Sequence, residues 1–237
     1  MSTSMSDWMQ TQSSAANRYL LLADISGYTA FMNGVEQAHG VDFSDGIPAG
    51  YAVVGALLDA VVDGVQPGFE IAKLEGDAVF AVASAQTLDG RGAALLTQLQ
   101  TVYQAFLGAR RAQARQANDH LCTACPVAAN LDLKMVLHHA GVVRQTVGSH
   151  TELLGPGVNV AHRLLKNNVQ ARLGLRAYLF LTDAAAIGLG VPHAGLRYAE
   201  SYPDVGTIQG RVVALGDGQI PIPVNGGLLL EDAGPVA

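Results

Sequence analysis

Charge of either sign is scarce in this chain: Asp, Glu, Lys and Arg together make up 14% of its 237 residues. Basic residues are the rarer kind, 14 against 20 acidic ones, and the net charge is −6. No basic run is longer than the pair Arg110–Arg111, which argues against a surface that tracks nucleic-acid phosphates. A nucleoside triphosphate remains open as a ligand, because bound metal ions can supply positive charge locally. Only two cysteines are present, Cys122 and Cys125, too few for a disulfide framework. Long apolar runs are missing too. The chain is 49% hydrophobic with a mean hydropathy of +0.24, yet Asp and Gly interrupt its apolar stretches, as Asp59 and Asp63 do within Val53–Val65. None reaches the roughly 18 residues that mark a membrane span. Met1–Asn17 has neither the basic nor the apolar segment of a signal peptide and reads as a frayed terminus. The expected setting is therefore the cytoplasm, with neither membrane nor nucleic acid as partner.

The remaining sequence is rich in local signals. Arg18–Ala23 is a short apolar run that ends at Asp24, the pattern of a buried strand presenting a carboxylate. Ser26-Gly27-Tyr28-Thr29 turns into a helix through Ala30–Val35, and a second helix is predicted from Pro48 to Val65 with Val54, Leu57, Leu58, Val61 and Val65 on one face. Phe69–Leu74 and Ala78–Ala83, joined by Glu75-Gly76-Asp77, predict a hairpin. Arg91–Ala117 lacks proline and predicts a long helix. His120–Asn130 reads as a loop, Leu131–His138 with Gly141–Val147 as a second hairpin, and Val158–Val169 as a helix. Ala177–Leu181 reads as a strand, Thr182-Asp183 as the cap of a short helix, and Arg197–Pro223 as β-prone runs. The order predicts an α+β sandwich, an antiparallel-rich sheet with helices over one face. The expected organisation is a tail over residues 1–17, one domain over 18–223 ending in a β-rich extension, and a loose tail over 224–237.

Asp24 at a strand end and Asp77 at a hairpin turn both lie beside apolar residues, where an unpaired charge is expensive. Two such carboxylates can hold two cations for phosphoryl-transfer chemistry, and Ser26–Thr29 can aim backbone N–H groups at an anion. From spacing alone a second reading stands, with Asp24 a helix cap and Asp77 an ordinary turn residue.

Three segments carry a resemblance. LLADISGYTAF (Leu21–Phe31), KLEGDAVFA (Lys73–Ala81) and ELLGPGVNVAHRL (Glu152–Leu164) resemble, in order and spacing, the motifs of the class III adenylate/guanylate cyclases, closest to an uncharacterised bacterial branch. The resemblance implies a ferredoxin-like cyclase sandwich and a metal-dependent nucleotidyl cyclase that makes a 3′,5′-cyclic monophosphate and pyrophosphate. It implies that Asp24 and Asp77, with the carbonyl of Ile25, hold two divalent cations, Mg²⁺ or Mn²⁺. Gly27, Tyr28 and Thr29 match the loop that wraps the triphosphate, and Lys73 and Glu152 the pair that reads the base. Asn159 matches the residue that orients the ribose, and Arg163 the arginine that stabilises charge on the transferred phosphorus. The lysine favours adenine. Since the metal residues and the Asn and Arg residues come from different chains in that class, the resemblance implies a homodimer with two shared sites. Alternatives within it are a nucleotide-binding regulatory module without turnover and a pyrimidine-specific cyclase.

Two positions leave the sequence reading open. On Leu133–Val143 either Lys134 or Met135 takes the family's phosphate-contacting position, because a slip of one residue exchanges the faces of a strand. His120, Cys122 and Cys125 offer three of the four ligands zinc would want, with His150 or a second chain to complete them; the other reading is an exposed loop with two reduced thiols. His138 and His139 read as structural, and His162, inside the third motif, is given no role.

Overall fold

The computed structural model describes residues 13–40, 44, 49–117 and 125–216. Its strands are β1 (Ser13–Ser26), β2 (Glu70–Glu75), β3 (Ala78–Ser84), β4 (Asp132–Val147), β5 (His150–Leu154), β6 (Tyr178–Thr182), β7 (Leu196–Tyr202) and β8 (Gly206–Ala214). The helices are α1 (Tyr28–His39), α2 (Ala49–Val65), α3 (Ala85–Leu88), α4 (Gly92–Ala117), α5 (Pro156–Leu164), α6 (Val169–Leu173) and α7 (Asp183–Gly188). The strands form one sheet in the order β2-β3-β1-β4-β6-β8-β7, with β5 paired to β4. All pairings are antiparallel except β4 with β6. This is the α+β sandwich that the element order predicts.

The central strands are apolar on both faces, so the sheet is covered on both. Along β1, Tyr19, Leu21, Ala23 and Ile25 face a large core with Leu57, Val61 and Val65 of α2 and Leu95, Leu99, Val102 and Phe106 of α4. Those helical residues recur at three- and four-residue intervals, the stripe that buries one side of a helix. Leu20 and Leu22 face a second core, closed by Val158, Ala161 and Leu164 of α5 and Val169 of α6. The expectation of helices over a single face is thus corrected: α1, α2, α4 and α7 lie on one side and the short α5 and α6 on the other. Among the described residues no helix is long and apolar enough to cross a membrane.

Three further expectations change. β1 begins at Ser13 and pairs residue by residue with β4 from Ser13↔Gln145 onward, so residues 13–17 of the expected frayed terminus are strand. Leu131–His138 and Gly141–Val147 are one strand, not a hairpin. Gly141 lies opposite Asn17 in mid-ladder, and the chain reverses instead at Gly148–Ser149, between β4 and β5. The expected helix Val158–Val169 is two, because Asn167 and Asn168 take over the backbone groups between them. Asn167 Nδ2 donates to the Leu164 carbonyl at 2.6 Å and Oδ1 accepts from Val169 N–H at 2.9 Å. Asn168 donates to Glu200 from both backbone and side chain, each at 2.8 Å. Such side-chain bonds compete with the helical ladder and end it. The expected C-terminal tail from Val224, together with His120, Cys122 and the side chain of Cys125, lies outside the described residues.

Candidate functional site

Period-two alternation along β1 sets Asp24 on the same face as Leu20 and Leu22, beyond the edge of their core. Its neighbour across β4 is Lys134, whose Nζ lies 3.0 Å from Asp24 Oδ2. Met135 is fully buried in the opposite core. Of the two residues left open on this strand, Lys134 is the one beside Asp24. Asp77 sits in the two-residue turn of the β2–β3 hairpin, and its carbonyl accepts from the Ile25 N–H at 3.1 Å, which ties the turn to the end of β1. Burial raises the Asp77 pKa and the charge of Asp24 raises it further; its own backbone hydrogen bond and Lys134 lower it. Asp24 therefore acts on the charge of Asp77, and Lys134 offsets part of that repulsion. Hard oxygen donors short of positive charge suit a hard divalent cation, so the residues present fit the implied metals.

Beside them Gly27 caps the N-terminus of α1 in the left-handed region (φ 88°), a conformation open to glycine at no steric cost. It leaves Tyr28 and the exposed Thr29 in the first turn. The Tyr28 hydroxyl has its pKa raised by burial, then by Asp77 and Tyr51, so it shares the electrostatic environment of the carboxylate pair.

A second group gathers on the same sheet face. Period two alone would put Lys73 with Ile71, toward the large core. A bulge between Ile71 and Lys73 shifts the register so that Ile71 pairs with Ala81 and Lys73 with Phe80, and the lysine changes faces. Lys73 then lines a hollow of about 590 Å³ with Glu152 and Leu153 of β5 and Asn159 of α5. Three expected residues from three separate segments meet there. Glu75 and His162 line it as well, and sequence reasoning missed both. Glu75 follows Lys73 by two on the same strand face, a period-two signal that was available; His162 had only its place three residues after Asn159. Arg163 leaves α5 on another flank, where its guanidinium pairs with Asp204 at 2.6 and 2.8 Å. Within one chain, then, Asp24, Asp77 and Lys134 lie together, Lys73, Glu152 and Asn159 line one hollow, and Asn159 also lines a neighbouring one with Arg163. His138 and His139 divide between the faces as expected. His138 Nδ1 lies 3.0 Å from Thr182 Oγ1, and the His139 ring stacks on Tyr19 with centroids 4.4 Å apart.

The sheet and its helices share the fold of adenylyl and guanylyl cyclase domains of known structure. The adenylyl cyclase CyaB from P. aeruginosa matches with a TM-score of 0.61 at 13% identity, over 85% of this chain and 96% of its own. The guanylyl cyclase Cya2 matches with a TM-score of 0.59 at 14% identity, over 87% and 96% respectively. The chain belongs to the family described as "protein of unknown function", DUF2652, whose model matches residues 54–172. Uncharacterized protein Rv2561/Rv2562 of Mycobacterium tuberculosis is 35% identical over 130 residues, 55% of this chain and 57% of the relative. The match thus spans little more than half of that curated relative's length.

Proposed function

We propose that this protein is a metal-dependent nucleotidyl cyclase, with ATP its preferred substrate, acting as a homodimer with two shared sites. The observation that carries this reading is the meeting of Lys73, Glu152 and Asn159 around one hollow, on the sheet face that also bears Asp24 and Asp77. Lys73 would donate to the adenine N1 and Glu152 accept from the amino group beside it, while Asn159 would hold the ribose. A metal pair held by Asp24, Asp77 and the Ile25 carbonyl would activate the 3′-hydroxyl and stabilise the leaving group. The N–H groups at the start of α1, behind Gly27, would receive the triphosphate. Lys134 would pass from Asp24 to the terminal phosphates. Arg163, from the partner, would meet the charge gathering on the α-phosphorus. In the reaction the 3′-oxygen bonds to the α-phosphorus, the bond to the β-phosphate oxygen breaks, and the hydroxyl proton and pyrophosphate depart.

One observation favours a second reading, a nucleotide-binding module without turnover. Both cations assigned to the phosphates are engaged by carboxylates, Lys134 by Asp24 and Arg163 by Asp204. Incubation with ATP, GTP, CTP or UTP and Mg²⁺ or Mn²⁺, with products resolved by mass, separates the readings. A cyclic monophosphate that disappears in Asp77→Ala is the expected result, and its base answers the pyrimidine alternative. Measurable triphosphate binding with no product from any of the four would leave the binding module.

A further inference from the structure

Besides Lys73 and Glu152, the polar lining of the hollow includes Glu75 and His162. His162 is one helical turn from Asn159, so the two side chains leave neighbouring points of α5. The sheet-facing side of that helix is filled by Val158, Ala161 and Leu164, and packing of α5 does not require a histidine at this position. Its ring is nonetheless held. Phe80 meets it edge-on, with centroids 5.2 Å apart and planes at 65°, and Glu75 Oε2 lies 3.4 Å from Nδ1. Lys73 Nζ is more distant from the same carboxylate, at 4.0 Å from Oε1.

A carboxylate accepts and cannot donate, so in the neutral ring its proximity favours the tautomer with the proton on Nδ1, which leaves a lone pair on Nε2. Glu75 and His162 Nε2 then offer a pair of acceptors in one side-chain cluster, while Lys73, Asn159, His150, Ser149 and Thr151 supply the donors of the same hollow. An exocyclic amino group has two hydrogens to give to such a pair. An oxo group in its place would set lone pairs against lone pairs, a penalty that discriminates more sharply than a lost contact.

We propose that Glu75 and His162 form a second recognition pair, in which His162 reads the exocyclic amino group of the nucleobase and Glu75 is the positioning residue that favours its tautomer. The inference rests on the cyclase-type reading of the same hollow and adds its means of selection: amino-bearing bases are taken and their oxo counterparts refused.

The test compares binding of 3′-deoxy-ATP and 3′-deoxy-ITP to the full chain with Mn²⁺ by calorimetry. Neither can cyclise, and they differ in the 6-substituent and in the proton the oxo base carries on N1. The N1 difference is common to parent and variants, so the change in preference between them reads the 6-substituent. The parent should prefer the amino nucleotide by roughly tenfold or more. His162→Phe keeps the ring against Phe80, and Glu75→Gln keeps shape while weakening the hold on Nδ1; each should cut the preference to about threefold or less. Circular dichroism checks both folds, and the near-isosteric Glu75→Gln stays informative if His162→Phe does not fold. An unchanged preference in the folded variants would overturn the proposal. Equal affinities in the parent would overturn it too while leaving the cyclase reading standing. If the parent bound neither nucleotide nor inorganic tripolyphosphate, the reading beneath it would fall as well.

Discussion

At Asp77 burial and the neighbouring Asp24 act together, and both push the carboxyl pKa up against a weaker pull from its backbone hydrogen bond and Lys134. The folded chain therefore keeps this proton to a higher pH than the unfolded chain does, and stability falls as pH rises through that interval. Burial and the Asp24 charge disfavour the Asp77 carboxylate, and a bound cation would offset both. Asp77→Asn removes the charge and keeps the shape. It should raise the metal-free Tm at pH 7 by roughly 1–3 °C, and lose the further rise expected of the parent with Mn²⁺ in scanning calorimetry. A lower Tm in the variant would mean that the charge is compensated after all. His138 carries the opposite sign. Burial, with the adjacent His139, pulls its imidazole down from 6.5 to about 4. The stability carried by the neutral ring is full above pH 6.5 and is lost as pH falls toward 4. Urea unfolding at pH 7 and at pH 4.5 should differ by roughly 1–3 kcal/mol from this group, and His138→Gln should flatten the dependence.

Among the elements, β4 and α5 depend on each other through a close approach. A Cβ placed on Gly157 would run into the Cβ of Ala140, so only glycine lets the first turn of α5 rest on the strand. Gly157→Ala should cost roughly 1–3 kcal/mol, and adding Ala140→Gly should recover most of it. If the double variant were as unstable as the single one, another contact would be responsible. Elements of this kind mark the limit of what was legible beforehand. The strand to Asp24, α1, α2, α4 and the β2–β3 hairpin are read correctly because their signals are local: an apolar run, a stripe, a Gly-Asp turn. The continuity of β4 is set by its long ladder to β1, and Ala140-Gly141 looks like a turn until Asn17 is seen opposite it. The break after α5 depends on Glu200, which comes from β7. The same division runs through the site. Lys73, Glu152 and Asn159 were found by motif, whereas the bulge that turns Lys73 to the open face and the pairing of Arg163 with Asp204, 41 residues away, exist only in three dimensions.

For the whole molecule, the separation of the carboxylate pair from Asn159 and Arg163 is the property that the proposed dimer would use. It predicts complementation. Asp77→Ala and Arg163→Ala should each be inactive alone. Mixed in equal amounts under subunit exchange, they should yield one intact site per mixed dimer and roughly a quarter of the parent rate. No recovery would place both groups of residues in one chain's own site.

The β2–β3 hairpin has a further consequence in such a dimer. Lys73 and Glu75 lie on its flank, facing the hollow of their own chain, while Asp77 sits at its tip beside Asp24. The same short ribbon would then belong to two reaction centres, its flank gripping a base in one and its tip holding metal in the other. A single substitution that displaced the hairpin would then be felt at a base pocket and at a metal pair at once.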